Sequence, residues 1–359
     1  MNKKIQQFVF IGGVLSILAG CATTEDQQTQ LSGFDHELYD GKSTLGLSGD
    51  FPPASPQEAI ARGDQAYLAQ DADLALYEYI RALSFPSQEE ADIAYYKVGY
   101  IHQQRGNYDL ARLAYERASL ANPNNSQYLT ALGNTELKLG NKESAKTSLT
   151  QAIVLDQKRQ SNSVEAEQIE DENTRLLIDA QSPLNAYNAL GVICDLETKH
   201  LDAQKLYKLG LNQQPRDEKL LNNYAYSLYM NGDLNQAENI YKRITKLNSQ
   251  SDKAWSNLGL IYIRKGQYNA AYGALKHAMK PEAAYNDIGY FAMLEGDYEA
   301  AIHFLQKAID ASPTYYITAQ ENLAQAKQLQ VESPRVKASK TWDNNQFQSS
   351  VYAIDNRIE

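Results

Sequence analysis

Apolar positions along this chain recur around small residues. Val98-Gly99, Leu132-Gly133 and Leu258-Gly259 each set an apolar side chain before a glycine. Four positions before that glycine stands an aromatic residue or leucine: Tyr95, Leu129 or Trp255. Twelve residues after it comes an alanine (Ala111, Ala145, Ala271), then a bulky residue and a second alanine, as in Tyr115 and Ala118. A second glycine follows the first by seven residues (Gly106, Gly140, Gly266, Gly296). That spacing predicts two helices joined by a tight turn, with glycine at a left-handed position. Pro123, Pro215 and Pro313 fall where the second helix must stop.

The glycine of the first helix and the alanine of the second let two backbones approach, and the large residues fill the space between neighbouring pairs. One pair alone cannot bury its apolar face, so pairs must stack. A period of about 34 residues with this pattern resembles the tetratricopeptide repeat. The resemblance implies an all-α fold: a right-handed α-solenoid of about seven helix pairs with a C-terminal capping helix. The units fall near 56–89, 92–125, 126–159, 184–217, 218–251, 252–281 and 282–315. In the fifth, Ala225 replaces the glycine. In the sixth, Pro281 and the early Gly289 predict a trimmed second helix. The first is least regular and has no turn glycine.

The flanks carry different signals. Met1-Asn2-Lys3-Lys4 is a short basic start, Phe8–Leu18 is apolar but too short to span a bilayer, and Leu18-Ala19-Gly20 precedes Cys21. Residues 1–20 thus read as a signal peptide of bacterial lipoprotein type. By that resemblance the Cys21 thiol receives a diacylglycerol and its new amine an acyl chain. At ~0.8 kcal/mol per buried methylene, such chains hold a protein on a membrane. Ala22, rather than Asp, resembles lipoproteins forwarded to the outer membrane, facing the periplasm. Residues 21–55, polar and then rich in Gly, Ser and Pro, predict a lipidated flexible tether.

Residues 56–159 form a first block of three repeats and 184–330 a second block of four plus the capping helix, Tyr315 to Gln330. Between them, 160–183 is acidic at Glu165–Glu172 and apolar at Leu176–Ile178. It is expected to be an acidic helical insertion extending the third unit; the other reading is a hinge or docking element dividing the array. Residues 331–359, with Trp342 and Phe347, are expected to be a disordered tail.

Composition narrows the function. The net charge is −10; losing Lys3 and Lys4 with the signal peptide leaves 32 basic against 44 acidic side chains, or −12. An acidic chain without a Lys/Arg cluster is a poor match for nucleic acid. The five histidines (36, 102, 200, 277, 303) lie singly, without metal-ligand spacing, and no P-loop, HExxH or GxSxG occurs. No cofactor, metal or catalytic constellation is expected, and Cys194 is expected to be a packed thiol.

What remains is the inner face of the array, lined in this repeat family mostly by positions 2, 5, 9, 12 and 13 of the first helix. From the fifth unit on, positions 9 and 12 are Tyr226, Tyr229, Leu260, Ile263, Tyr290 and Met293. Position 5 is Asn188, Asn222, Ser256 and Asn286 in units four to seven. An apolar, aromatic floor with interspersed amides suits an extended peptide or a helix of a protein partner. The alternative is that these residues only pack between repeats, or that the tail fills the groove. Clamping of a terminal carboxylate would need Lys and Arg there, and they are largely missing.

The stretch from Asn188 through Ile244, with the lipoprotein signature, resembles the TadD lipoproteins of Tad (Flp-type) pilus systems. That resemblance implies an outer-membrane scaffold assisting assembly or localisation of a secretin, with the secretin or pilus-assembly components as partners. PilF-like pilotins of type IV pili, and lipidated repeat proteins regulating cell-wall synthases or hydrolases, are the alternative resemblances.

Overall fold

The computed structural model describes residues 34–42, 52–87, 89–171 and 173–332. The predicted signal peptide, Cys21 and the tail from 333, with Trp342 and Phe347, lie outside them. The described residues form fifteen α-helices and no strand. These are α1 (Pro56–Leu68), α2 (Ala72–Leu83), α3 (Ala91–Gln104), α4 (Tyr108–Ala121), α5 (Ser126–Lys138), α6 (Lys142–Arg159), α7 (Leu184–Leu196) and α8 (His200–Gln213). They continue with α9 (Glu218–Met230), α10 (Leu234–Leu247), α11 (Asp252–Arg264), α12 (Tyr268–Leu275), α13 (Pro281–Leu294), α14 (Tyr298–Ala311) and α15 (Ile317–Glu332). Odd-numbered helices pair with the even-numbered helix that follows, making the seven expected pairs, and α15 caps α13 and α14.

Local chemistry starts and stops these helices. Ser55, Asp71, Asp217, Ser251 and Asp297 accept a hydrogen bond from a main-chain N–H of the first turn of α1, α2, α9, α11 and α14. Within each pair the chain reverses through one left-handed residue. Gly106, Gly140, Gly232, Gly266 and Gly296 hold it, with φ between 68° and 89°. Where no glycine is available, Gln70 and Thr198 are forced to φ 64° and 62°. The close approach is equally local. A Cβ on Gly191 would lie 2.6 Å from the Tyr207 ring, which is fully buried on α8 sixteen residues later.

The contacts divide the chain into two compact units, residues up to 88 and residues from 89 onward. In the first, the expected flexible tether is corrected over 34–42. This stretch is docked, with Leu38 fully buried and Phe34 at 8% exposure. Phe34 and Tyr39 pack their rings 5.6 and 6.3 Å from that of Tyr77 on α2, and Lys42 pairs with Asp73 at 3.3 Å. Three large apolar side chains in nine residues bury enough surface to hold this segment against the polar character of its neighbours.

In the second unit the acidic insertion is also corrected. It is not helical apart from one 3₁₀ turn at Ala166–Gln168, and it is a packed strap rather than a hinge. Its Val164, Ile169 and Leu176 are buried in the same core as Leu149 and Ile153 of α6 and Leu190 and Ile193 of α7. That core continues to Phe304, and α5 touches α7 directly, so the stacking of pairs is not interrupted at the insertion. Side chains displace helical hydrogen bonding here. Gln157, fully buried, donates to Leu177 O (2.7 Å) and accepts from Leu177 N (2.8 Å), while Asn162 Nδ2 donates to Arg175 O (2.9 Å).

Four charges close the strap onto the helices: Lys146 and Lys199 each contact both Glu170 and Glu197, at 2.8–3.0 Å. Burial opposes ionisation of Glu197, but the hydrogen bonds from the two lysines outweigh it and hold its carboxyl at about 2. Arg159, bonded to Asp179, does the same for that carboxyl, also to about 2.

Candidate functional site

The residues expected to line the inner groove come from the first helices of successive pairs: Asn188 on α7; Asn222, Tyr226 and Tyr229 on α9; Leu260 and Ile263 on α11; Asn286, Tyr290 and Met293 on α13. They separate into two groups. Asn188, Tyr229, Leu260, Ile263, Asn286 and Met293 are buried at 2–7% exposure, and they pack between repeats. Asn222, Tyr226 and Tyr290 are half-buried and reach the surface.

Between the groups lies a shallow pocket lined by Tyr226, Tyr229, Tyr241, Asn257 and Leu260, with about 10 Å³ of room. That holds about one water molecule, or the tip of one side chain. Burial raises the Tyr229 phenol's pKa, so it stays neutral. The guanidinium of Arg264 sits 4.9 Å from the Tyr229 ring centroid and donates to Tyr229 O at 3.0 Å.

The amides are partly spent on one another. Asn223 Nδ2 donates to Asn188 Oδ1 (2.9 Å), Asn257 Nδ2 to Asn222 Oδ1 (3.3 Å), and Asn322 Nδ2 to Asn286 Oδ1 (3.0 Å). An amide from each later helix thus meets an amide 35 or 36 residues earlier, binding adjacent repeats. Asn257 Nδ2 also donates to Tyr241 OH at 3.0 Å. Tyr241 and Asn257 were not expected in the site. Asn257 follows the position-5 residue directly, and only the helix rotation shows that the sixth position faces the groove. Tyr241 enters from α10, where it shares one buried core with Ala225 of α9.

Elsewhere, Asp195, His200, Tyr207 and Ser227 form a buried polar cluster. Asp195 Oδ1 lies 2.8 Å from His200 Nδ1 and accepts from Ser227 Oγ at 2.7 Å, while Oδ2 accepts from Tyr207 OH at 2.9 Å. Ser227 and His200 thus share one carboxylate oxygen, and the Ser227 hydroxyl is aimed at Asp195 and the His200 carbonyl. A nucleophilic triad requires the imidazole to take the serine proton, and this arrangement instead ties α7, α8 and α9 together. Burial pushes the Cys194 thiol up to about 12, matching a packed, unreactive cysteine. Among the described residues no group of His, Cys, Asp and Glu could hold a metal ion, and no helix is long and apolar enough to cross a membrane.

Family models of the tetratricopeptide repeat match residues 96–160, 222–278 and 282–315. These matches place tetratricopeptide repeats among the seven helix pairs. A tetratricopeptide repeat protein of Parabacteroides merdae superposes with a TM-score of 0.50 at 14% identity, covering 76% of this chain and 98% of its own. PilF of Pseudomonas aeruginosa aligns over 66% of this chain and 99% of its own, with a TM-score of 0.45 and 14% identity. Among curated proteins, the BBSome complex member BBS4 of Bos taurus is 28% identical over 125 residues, 34% of this chain. The match spans about a quarter of the relative's length, 24%. The repeats define a scaffold for protein–protein interaction.

Proposed function

We propose that this chain is a lipid-anchored scaffold of the outer membrane that assists assembly or localisation of a secretin in a Tad-type pilus system. Its support for the anchor is the run Leu18-Ala19-Gly20-Cys21 after a basic and apolar start. The observation that carries the binding role is the inner face of α9–α13, where Tyr226, Asn222 and Tyr290 stay half-open above a floor of buried Tyr229, Leu260 and Met293. A partner segment laid along this face would set an apolar side chain into the Tyr226–Asn257 pocket and meet unspent amide groups beside it. The Asn188, Asn222 and Asn286 ladder acts mainly to hold repeats in register, so the half-open tyrosines supply most of the contact.

The test is co-purification of the secretin with the lipidated protein from native membranes. Tyr226→Ala with Tyr290→Ala should lower capture more than tenfold with little change in melting temperature, since buried aromatic anchors commonly cost ≥2 kcal/mol on truncation. Cys21→Ser should leave the protein unlabelled by a palmitate analogue and detached from the membrane. Capture of wall synthases or amidases in place of a secretin would move the scaffold to cell-wall assembly. Equal secretin capture by a stably folded double variant would remove the groove from the account.

A further inference from the structure

Helix α12 is shorter than its counterparts: eight residues, against fourteen in α10 and α14. The chain leaves it at Leu275, turns through Lys276–Ala278 and re-enters α13 at Pro281. A Cβ on Gly273 of α12 would meet nothing within 4 Å, so this part of the helix is open to solvent. Two phenol rings stand there. Tyr272 of α12 and Tyr285 of α13 stack at 4.4 Å and 3°. Tyr285 in turn packs 6.3 Å from the ring of Phe304 on α14. Both tyrosines are half-buried, so one edge of the stack is open to solvent.

The charge around this stack is positive, against the acidic balance of the whole chain. Lys307 Nζ lies 5.7 Å from the Tyr285 centroid and 5.4 Å from that of Phe304, and Lys276 follows Tyr272 by one helical turn at the end of α12. His303 stands edge-on to Phe304 at 5.1 Å. Elsewhere Lys142, Lys146, Lys199, Lys242 and Lys265 are engaged by carboxylates. Lys276 and Lys307 are exposed, and among the described residues neither has a carboxylate partner.

The donors at the stack point the same way. Each of the two phenols carries one O–H donor. Those donors and the two ammonium groups suit an acceptor carrying negative charge. The half-open stack gives an apolar side chain a flat aromatic surface to pack on.

We propose that the Tyr272–Tyr285 stack, with Lys276 and Lys307, is a second docking site, for an acidic segment of a partner protein carrying an apolar residue among its carboxylates. It lies on α12, the base of α13 and α14, apart from the Tyr226 pocket. It therefore lets one array hold two partner segments at once, or two parts of one partner.

The probe is a fluorescein-labelled peptide, Glu-Leu-Glu-Glu-Phe-Glu, titrated with the purified chain and read by anisotropy at 50 and 200 mM salt. Wild type should bind, more weakly at the higher salt. Lys276→Glu with Lys307→Glu should lower affinity at least tenfold while the melting temperature holds, because neither lysine is ion-paired in the fold. Tyr272→Phe with Tyr285→Phe should weaken binding several-fold while keeping the rings. Lys158→Glu with Lys219→Glu adds the same charge elsewhere and should bind as wild type does. Tyr226→Ala with Tyr290→Ala should also bind normally, which separates this site from the inner groove. Absence of peptide binding by wild type, or equal binding by the Lys276/Lys307 variant, would overturn the proposal. So would binding of phosphatidylglycerol vesicles without binding of the peptide, which would make the site a lipid-facing one.

Discussion

Replacing Gln157 tests whether the strap braces the array. Its amide is fully buried and makes four hydrogen bonds: to Leu177 O and Tyr187 OH at 2.7 Å, and from Leu177 N at 2.8 Å and Asn162 Nδ2 at 2.7 Å. Gln157→Leu keeps the volume and removes every one. Leu177 N–H is then orphaned. Leu177 O keeps only a 3.2 Å bond from Gln160, and Tyr187 OH retains Asp156 at 2.9 Å. One fully orphaned and three weakened groups (Asn162 Nδ2 keeps Arg175 O at 2.9 Å), at about 1–3 kcal/mol for a buried unsatisfied group, predict a loss of roughly 2–4 kcal/mol, with Leu177 being only half-buried. In a stack of nearest-neighbour interfaces the loss should be local. Hydrogen exchange of 174–179 and proteolysis within 160–183 should accelerate first, with a melting point several degrees lower, on a scale of about 2–4 °C per kcal/mol. Unchanged exchange and melting would show that the strap rests on the helices without supporting them.

Two further outcomes follow from the geometry. Thr198, β-branched and held at φ 62°, carries left-handed strain that glycine would relieve; Thr198→Gly should stabilise by about 1 kcal/mol, and a lower melting temperature would refute this. Glu197 titrates at about 2 in the fold against an ordinary 4.5. A depressed folded value stabilises above the unfolded one and is lost as pH falls. The difference in urea midpoint between wild type and Glu197→Gln should therefore be full at pH 6–7 and close between about pH 4.5 and 2; a gap that stays constant to pH 2 would exclude the charge ring as its source.

The repeat pattern alone determined the helix pairs, their order and their turns, because each rests on contacts within about 34 residues. Gly99 faces Tyr115 and Gly191 faces Tyr207 at a fixed sixteen-residue offset, and the second glycine supplies the left-handed turn. The shortened α12 was legible too, from the early Gly289 and Pro281. Composition misled where long-range contacts outweighed local character. Segment 34–42 looks like polar linker, yet Phe34 and Tyr39 find a partner in Tyr77, some forty residues away, and Leu38 is fully buried. The acidic run of 160–183 looks helical, yet Lys146 and Lys199 neutralise Glu170, and the Gln157 side chain takes the main-chain bonds a helix would have made. The site divided along the same line. Its first helices and positions could be read from the period. Which of those residues are open, and that Tyr241 and Asn257 join them, was decided by how far each helix turns against its neighbour, a matter of packing across repeats that no single period contains.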